Sequence, residues 1–290
     1  MVTSAVWVQL TGDPNPELVV VGEWMPIRVF ENQGGVLKPA DSKQNGLEHT
    51  EGWWNRIVAE DLDGDGDTDF IAGNLGLNYK FHASKEKPFH VYCDDYDANG
   101  TYDIVLAKLD GKELVPVRGR QCSSEQVPSI AKKFPDYNSF ANANLKDIYG
   151  EGLQSGLHYE AKLFESVFIK NENGRFVCMP LPVEAQFSTV QGIVIQDFDG
   201  DGIKDLLIAG NQFGSEIETT KADASVGVLL KGLAGGFSYK PMGVKNSGVF
   251  LPGDIKDLQA IQFAGRPSVL VTTNNAPLMF LQNNLSLRKK

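Results

Sequence analysis

Three short segments of this 290-residue chain place oxygen-bearing side chains at alternate positions. In the first, Asp61, Asp63, Asp65, Asp67 and Asp69 occupy every second position of DLDGDGDTDF. Asp95, Asp97, Asn99, Thr101 and Asp103 repeat the spacing, and Asp197, Asp199, Asp201, Ile203 and Asp205 repeat it again. Counted from the first aspartate, positions 1, 3, 5 and 9 carry oxygen and position 6 is glycine (Gly66, Gly100, Gly202). Like charges this dense need a cation between them. Ca²⁺ takes six to eight oxygens at about 2.3–2.6 Å, and alternate residues of a tight loop can turn their carboxylates inward around one ion. The glycine supplies the positive φ of the sharp turn. Position 7 supplies its main-chain carbonyl, so Asp67, Thr101 and Ile203 are free to differ in side chain. The spacing predicts up to three Ca²⁺ ions, with Asn99 making the second loop the weakest.

The elements that position these loops are strands. An EF-hand would need a glutamate at position 12 and flanking helices, but position 12 is Ala72, Leu106 or Ile208. The loops are followed by DFIAGN, DIVLAK and DLLIAGN and preceded by WWNRIVAE, FHVYC and GIVIQ, all short apolar runs of the kind buried strands use. With no acid at position 12, the position 9 aspartate is expected to ligate directly. The strand–loop–strand unit recurs in degenerate form at Val6–Trp24, where Pro14 and Pro16 replace ligand positions, and at Leu258–Asn275, which has no acids in its turn. Glycine-centred hairpins follow most units: PIRVFENQGGVLKP, SVFIKNENGRFVCMPLP and GVLLKGLAGGFSYKPMG. Repeats of four short antiparallel strands are the signature of propeller blades, here about five blade-like units. The expected fold is all-β, a single propeller over 1–290 whose ring is not required to close. Asp95 follows Asp61 too soon for a whole blade between them, which places it in another hairpin of the same blade. Of Trp53 and Trp54, at least one is expected between blades.

The pattern DxDxDGxxD followed by strands ending in IAGN resembles FG-GAP/VCBS repeats, as in integrin α-type β-propellers. The runs GWWNRIVAEDLDGDGDTDFIAGNLGLNYKF and KPFHVYCDDYDANGTYDIVLAK resemble more specifically the large FG-GAP proteins of Bacteroidetes-type bacteria, related to the ASPIC/UnbV (cartilage acidic protein-like) family. That resemblance implies a calcium-stabilised propeller corresponding to the C-terminal part of a larger exported protein. It further implies an extracellular, cell-surface or periplasmic setting, although MVTSAVWVQL does not itself read as a signal peptide.

Residues 118–162 break the pattern with a partly helical insertion. One helix is expected near Val127–Lys133, with Pro128 in its first turn and Pro135 after its end, and a second near Ser139–Tyr149, with Phe140, Leu145 and Ile148 on one side and Gly150 as its stop. Composition limits the partners. A net charge of −10 disfavours nucleic acid, and no apolar run reaches the roughly 18–20 residues of a membrane span. Twelve of the 37 acidic residues lie in the three loops, and three bound Ca²⁺ would bring the net charge to about −4. Cys93, Cys122 and Cys178 lack zinc-site spacing and fit either three buried thiols or one bridge and a free thiol. The four histidines show no HExxH spacing, and there is no GxSxG elbow or phosphate loop. The leading expectation is a non-catalytic, calcium-binding module that presents a surface to a glycan or protein. An alternative is a lyase-type polysaccharide-degrading module using Arg118, Arg120, Tyr137, His158 and Tyr159; a further one is a purely structural module of a longer chain.

Overall fold

The apolar runs on either side of each acidic loop pair with one another, because a tight turn between two β-prone segments leaves antiparallel pairing as the nearest way to satisfy their backbone groups. The computed structural model describes residues 1–215 and 218–282; residues 216–217 and 283–290 of the expected 1–290 propeller lie outside them. In chain order the strands are β1 (Val2–Val8), β2 (Glu17–Met25), β3 (Arg28–Gln33), β4 (Val36–Pro39), β5 (Gly52–Trp53), β6 (Arg56–Glu60), β7 (Asp69–Gly73), β8 (Phe89–Asp94), β9 (Asp103–Asp110) and β10 (Glu113–Pro116). They continue with β11 (Leu157–Ala161), β12 (Val167–Glu172), β13 (Arg175–Pro180), β14 (Val190–Gln196), β15 (Asp205–Gly210), β16 (Val228–Gly232), β17 (Tyr239–Met242), β18 (Ile255–Phe263), β19 (Arg266–Thr273) and β20 (Met279–Gln282).

These strands form antiparallel sheets, none closed: β1-β2-β3-β4 with β5 also on β2, β6-β7-β12-β13, β11-β8-β9-β10, β14-β15-β16-β17 and β18-β19-β20. The three glycine-centred hairpins are β3–β4, β12–β13 and β16–β17, and each supplies the two strands at one end of its sheet.

The chain divides into two compact units, residues 81–163 and the remainder. In the larger unit the leading strands of four sheets lie side by side: β1 against β6, β6 against β14, and β14 against β18. The sheets between them are covered on both faces. On β15, Leu206 and Ile208 pack with Ile71 and Phe168 of the β6 sheet. The alternate residues Leu207 and Ala209 pack with Leu258 and Val269 of the β18 sheet. That double coverage is why DFIAG and DLLIAG are apolar without alternation and buried throughout. Each fully buried Leu or Ile contributes about 1.5–3 kcal/mol. Gly192 permits the approach of β14 to β18, since a Cβ there would lie 2.8 Å from the Leu258 backbone nitrogen. Trp54 is fully buried, and its amide donates to Gly22 of β2.

The smaller unit holds the β8 sheet and a group of short helices. The Asp95 loop joins β8 to β9 in this separate sheet, which corrects the expectation that it belongs to the same blade as Asp61. The excursion expected over 118–162 is thus part of a longer stretch that includes a sheet of its own. Its helical part is four short helices, at Arg120–Gln126, Ser129–Lys133, Tyr137–Ala141 and Leu145–Tyr149, instead of two. Local caps cause the division. Pro128 is the N-cap of the second helix, the Asp136 side chain accepts the Ser139 amide of the third, and Asn144 and Asp147 form a capping box that starts the fourth. Phe140, Leu145 and Ile148 are buried as expected, and Gly150 follows the last helix. On β9 burial alternates: Val105 and Ala107 face Tyr92 and Leu145, while Ile104 is 58% exposed.

All three cysteines are free and partly buried. Among the described residues no helix is long and apolar enough to cross a membrane.

Candidate metal centres

Each acidic loop is first organised by its own backbone. The position 1 carboxylate accepts the amide of the position 6 glycine in all three: Asp61 from Gly66 at 3.1 Å, Asp95 from Gly100 at 2.8 Å and Asp197 from Gly202 at 2.9 Å. Position 3 accepts from position 5, at 3.3 Å for Asp63, 3.2 Å for Asp97 and 3.2 Å for Asp199. Position 5 accepts from position 7, at 2.9 Å for Asp65, 2.7 Å for Asn99 and 2.9 Å for Asp201. These turns require a left-handed residue twice. Position 6 is glycine throughout, and position 4 is Gly64 (φ 79°), Ala98 (φ 57°) or Gly200 (φ 79°).

The position 9 aspartates are buried at the start of the following strand. Their carboxylates accept the position 2 amide: Asp69 from Leu62 at 3.0 Å, Asp103 from Tyr96 at 3.0 Å and Asp205 from Phe198 at 2.8 Å. Asp69 and Asp205 also accept from the third strand of their sheets, from Asn171 and Gly232, each at 2.8 Å. Burial pushes the carboxyls of Asp69, Asp103 and Asp205 above the ordinary carboxylate range, with the backbone donors opposing it.

Positions 1, 3 and 9 come together. Asp61, Asp63 and Asp69 each offer a carboxylate oxygen within 4.8 Å of the others, as do Asp95, Asp97 and Asp103, and Asp197, Asp199 and Asp205. Three convergent carboxylates are a hard, anionic donor set of the kind Ca²⁺ accepts, and each retains lone pairs beyond those used by amides. The position 5 and 7 carboxylates Asp65, Asp67 and Asp201 are not gathered into these groups. Asp67 instead accepts the Asn173 amide at 3.1 Å, and Asp65, Asn99 and Asp201 hold the turn. Thr101 and Ile203 contribute the amides those turns use.

Two loops also meet a lysine that sequence reading missed. Lys170 on β12 lies 2.9 Å from Asp63, and Lys231 on β16 contacts Asp199 and lies 2.8 Å from Asp201. The Lys170 hydrogen bond lowers the Asp63 carboxyl pKa, and that of Lys231 lowers Asp201. The signal was present: each lysine immediately precedes the residue, Asn171 or Gly232, whose amide reaches the position 9 aspartate.

The degenerate turn between β1 and β2 keeps part of this geometry. Buried Glu17 opens β2 and accepts the Leu10 amide at 2.8 Å, the same seven-residue reach as Asp69 to Leu62. Gly12 takes the left-handed position at φ 75°, and Asp13 accepts the Asn15 amide at 2.6 Å. Residues 10–72 match the FG-GAP-like repeat. The matched stretch begins inside the degenerate turn and ends in β7, so it takes in one turn without the full acid set and the first acidic loop. The second and third loops, outside the match, reproduce the first loop's bonds from position 6 to 1, 5 to 3, 7 to 5 and 2 to 9. No curated protein matches the chain, and no relative supports a tie to the ASPIC/UnbV proteins.

Proposed function

We propose that this chain is a calcium-stabilised, non-catalytic binding module of the FG-GAP propeller type, working outside the cytoplasm. The observation that carries the reading is the threefold recurrence of one loop geometry, each copy bringing three carboxylates together. Ca²⁺ bound there would neutralise the loop and fix the strand connection. The blade-like side of the proposal is supported by the leading strands β1, β6, β14 and β18, which stand next to one another in that order. Export rests on the resemblance alone.

The partner would be a glycan or a protein. The β8 sheet offers it an uncovered face: Ile104 and Leu157 flank Cys93 across three strands, and Tyr159 lies two residues along β11. Ile104 and Leu157 are 58% and 59% exposed and Tyr159 is 50% exposed. Nothing favours the lyase alternative. Arg120 is spent on the carbonyls of Phe134, Ala131 and Pro135, and the consecutive strand residues His158 and Tyr159 project from opposite faces.

Thermal melting in EDTA and in millimolar Ca²⁺, followed by a glycan array in Ca²⁺, tests the reading. A rise in Tm that Asp199→Ala diminishes supports the metal, because a ligand that binds only the folded state stabilises it by mass action. An unchanged Tm in the native chain removes it. A glycan hit lost on Tyr159→Ala selects the sugar as partner.

A further inference from the structure

We infer that His90, His158 and Glu160 form a metal centre of a second kind, a three-ligand site for a divalent transition ion of the Zn²⁺ class. The site lies wholly within the smaller unit, on one face of the β8–β11 pair. His90 and Glu160 are cross-strand partners, as are Tyr92 and His158. Because residues two apart on a strand share a face, the register brings both imidazoles and the carboxylate to one side of the sheet.

The separations approach those of one ion. The two ring nitrogens face each other nearly in line, with ring centroids 5.3 Å apart, so each imidazole must turn within its plane to aim at a shared ion. His90 Nδ1 stands 3.0 Å from His158 Nε2 and 3.6 Å from Glu160 Oε1. Two ligands of a tetrahedral ion, each bound at about 2.0–2.1 Å, are roughly 3.3 Å apart. The three groups each present a ligand atom within 4.8 Å of the others. Two neutral imidazoles and one carboxylate leave a fourth position for water, and imidazole nitrogen prefers zinc-like ions to the Ca²⁺ that all-oxygen loops suit.

The surroundings hold these groups in place. The Tyr92 ring stacks on His158 at 4.2 Å with an interplanar angle of 4°, which fixes that imidazole's plane. Lys162 lies 3.5 Å from Glu160 Oε2 and so engages the oxygen that does not face the histidines. His90 is 6% exposed. A neutral His–His hydrogen bond is a small return for burying that ring. An ion shared by three groups is a larger one. His158 is exposed, so an ion has a path from solvent.

The test uses the full chain in millimolar Ca²⁺, so that any all-oxygen sites are occupied, and titrates Zn²⁺ against a chromophoric chelator. The expected result is one Zn²⁺ per chain, with affinity at least tenfold lower in His158→Ala and in Glu160→Gln and unchanged in Asp199→Ala. His158 is at the surface, so its truncation leaves the core intact; circular dichroism of that variant checks the fold. Substituting Co²⁺ should give the intense visible absorption of a four-coordinate ion with nitrogen ligands, lost in His158→Ala. The inference is overturned if no stoichiometric Zn²⁺ binds in the presence of Ca²⁺, or if binding survives His158→Ala and Glu160→Gln. Loss of binding in Asp199→Ala would also overturn it by moving the ion to an acidic loop.

Discussion

The Asn171 amide donates to the Asp69 carboxylate at 2.8 Å, across 102 residues of sequence. The whole 81–163 unit lies between them in the chain. The first acidic loop is therefore fastened to a strand that returns only after that unit has been traversed. Gly232 does the same for Asp205 over 27 residues. Glu17, in a turn that lacks the full acid set, still accepts the Leu10 amide. The position 9 acid is thus a buried part of the fold in its own right, distinct from positions 1 and 3, whose carboxylates accept amides, among the described residues, only from within their own loop.

That distinction separates two classes of variant. Both oxygens of Asp69 accept backbone amides, so Asp69→Asn turns an N–H₂ toward one of those donors in a buried site. The expected loss is about 1–3 kcal/mol, the cost of a buried unsatisfied group, and it should appear in urea denaturation in EDTA as well as in Ca²⁺. Asp63→Ala should lower stability chiefly when Ca²⁺ is present. Equal losses from the two variants in EDTA would contradict the division.

Lys231 faces Asp199 and Asp201 where a bound cation would also sit. Contact first with Asp199 and then with Asp201 raises the lysine pKa above its ordinary value, so it is charged throughout the neutral range. Lys231→Met removes a cation that an incoming Ca²⁺ must repel or displace. Calorimetric titration should find calcium affinity at the third loop roughly three- to tenfold higher, from the reduced like-charge repulsion. In EDTA the same variant should melt lower than wild type, since Asp199 and Asp201 then face each other without a counter-charge. A variant that shifts both quantities in the same direction would show that the lysine does not compete with the ion.

Much of this arrangement is visible in the sequence. The alternation of Asp61 to Asp69 and its two copies identifies the loops, and the apolar runs beside them become β6, β7, β8, β9, β14 and β15. The Gly-centred hairpins mark the outer strands because a two-strand turn has few alternatives. What escapes is long-range. Asp95 lies close enough to Asp61 in sequence to suggest a shared blade, and nothing local reveals that the partner of β7 is β12. The short helices escape for a different reason: Asn144 offers a cap only when Asp147 turns back to it, and apolar periodicity through Phe140, Leu145 and Ile148 runs across that break. The His90–Glu160 pairing depends on strand register, which spacing alone does not supply.

Ala98 holds position 4 of the second loop at φ 57°, where the other loops use glycine. A left-handed conformation costs an L-residue about 1–2 kcal/mol, while glycine adds roughly 0.4–1 kcal/mol of unfolded-chain entropy to be lost. Ala98→Gly should therefore be neutral to stabilising by about 1 kcal/mol. A clear fall in Tm would mean that the methyl group makes a contact worth more than the strain it causes.

Cys178 on β13 provides a test that depends on pH. Burial pushes its thiol up to about 11, so at pH 8 only roughly one molecule in a thousand carries the reactive thiolate. The sign follows from linkage. A folded pKa above the unfolded value means that the native state holds its proton more tightly, so the associated stability is complete below the unfolded pKa and is lost as pH rises through about 11. Iodoacetamide at pH 8 should leave Cys178 unmodified in the folded chain and alkylate it rapidly in urea, as read by peptide mapping. Raising the pH of the folded sample from 8 to 9 should increase the labelling rate about tenfold, in step with the thiolate fraction. Rapid labelling in the folded chain at pH 8 would mean that β13 opens, and hydrogen exchange along the β12–β13 pair would then be fast as well.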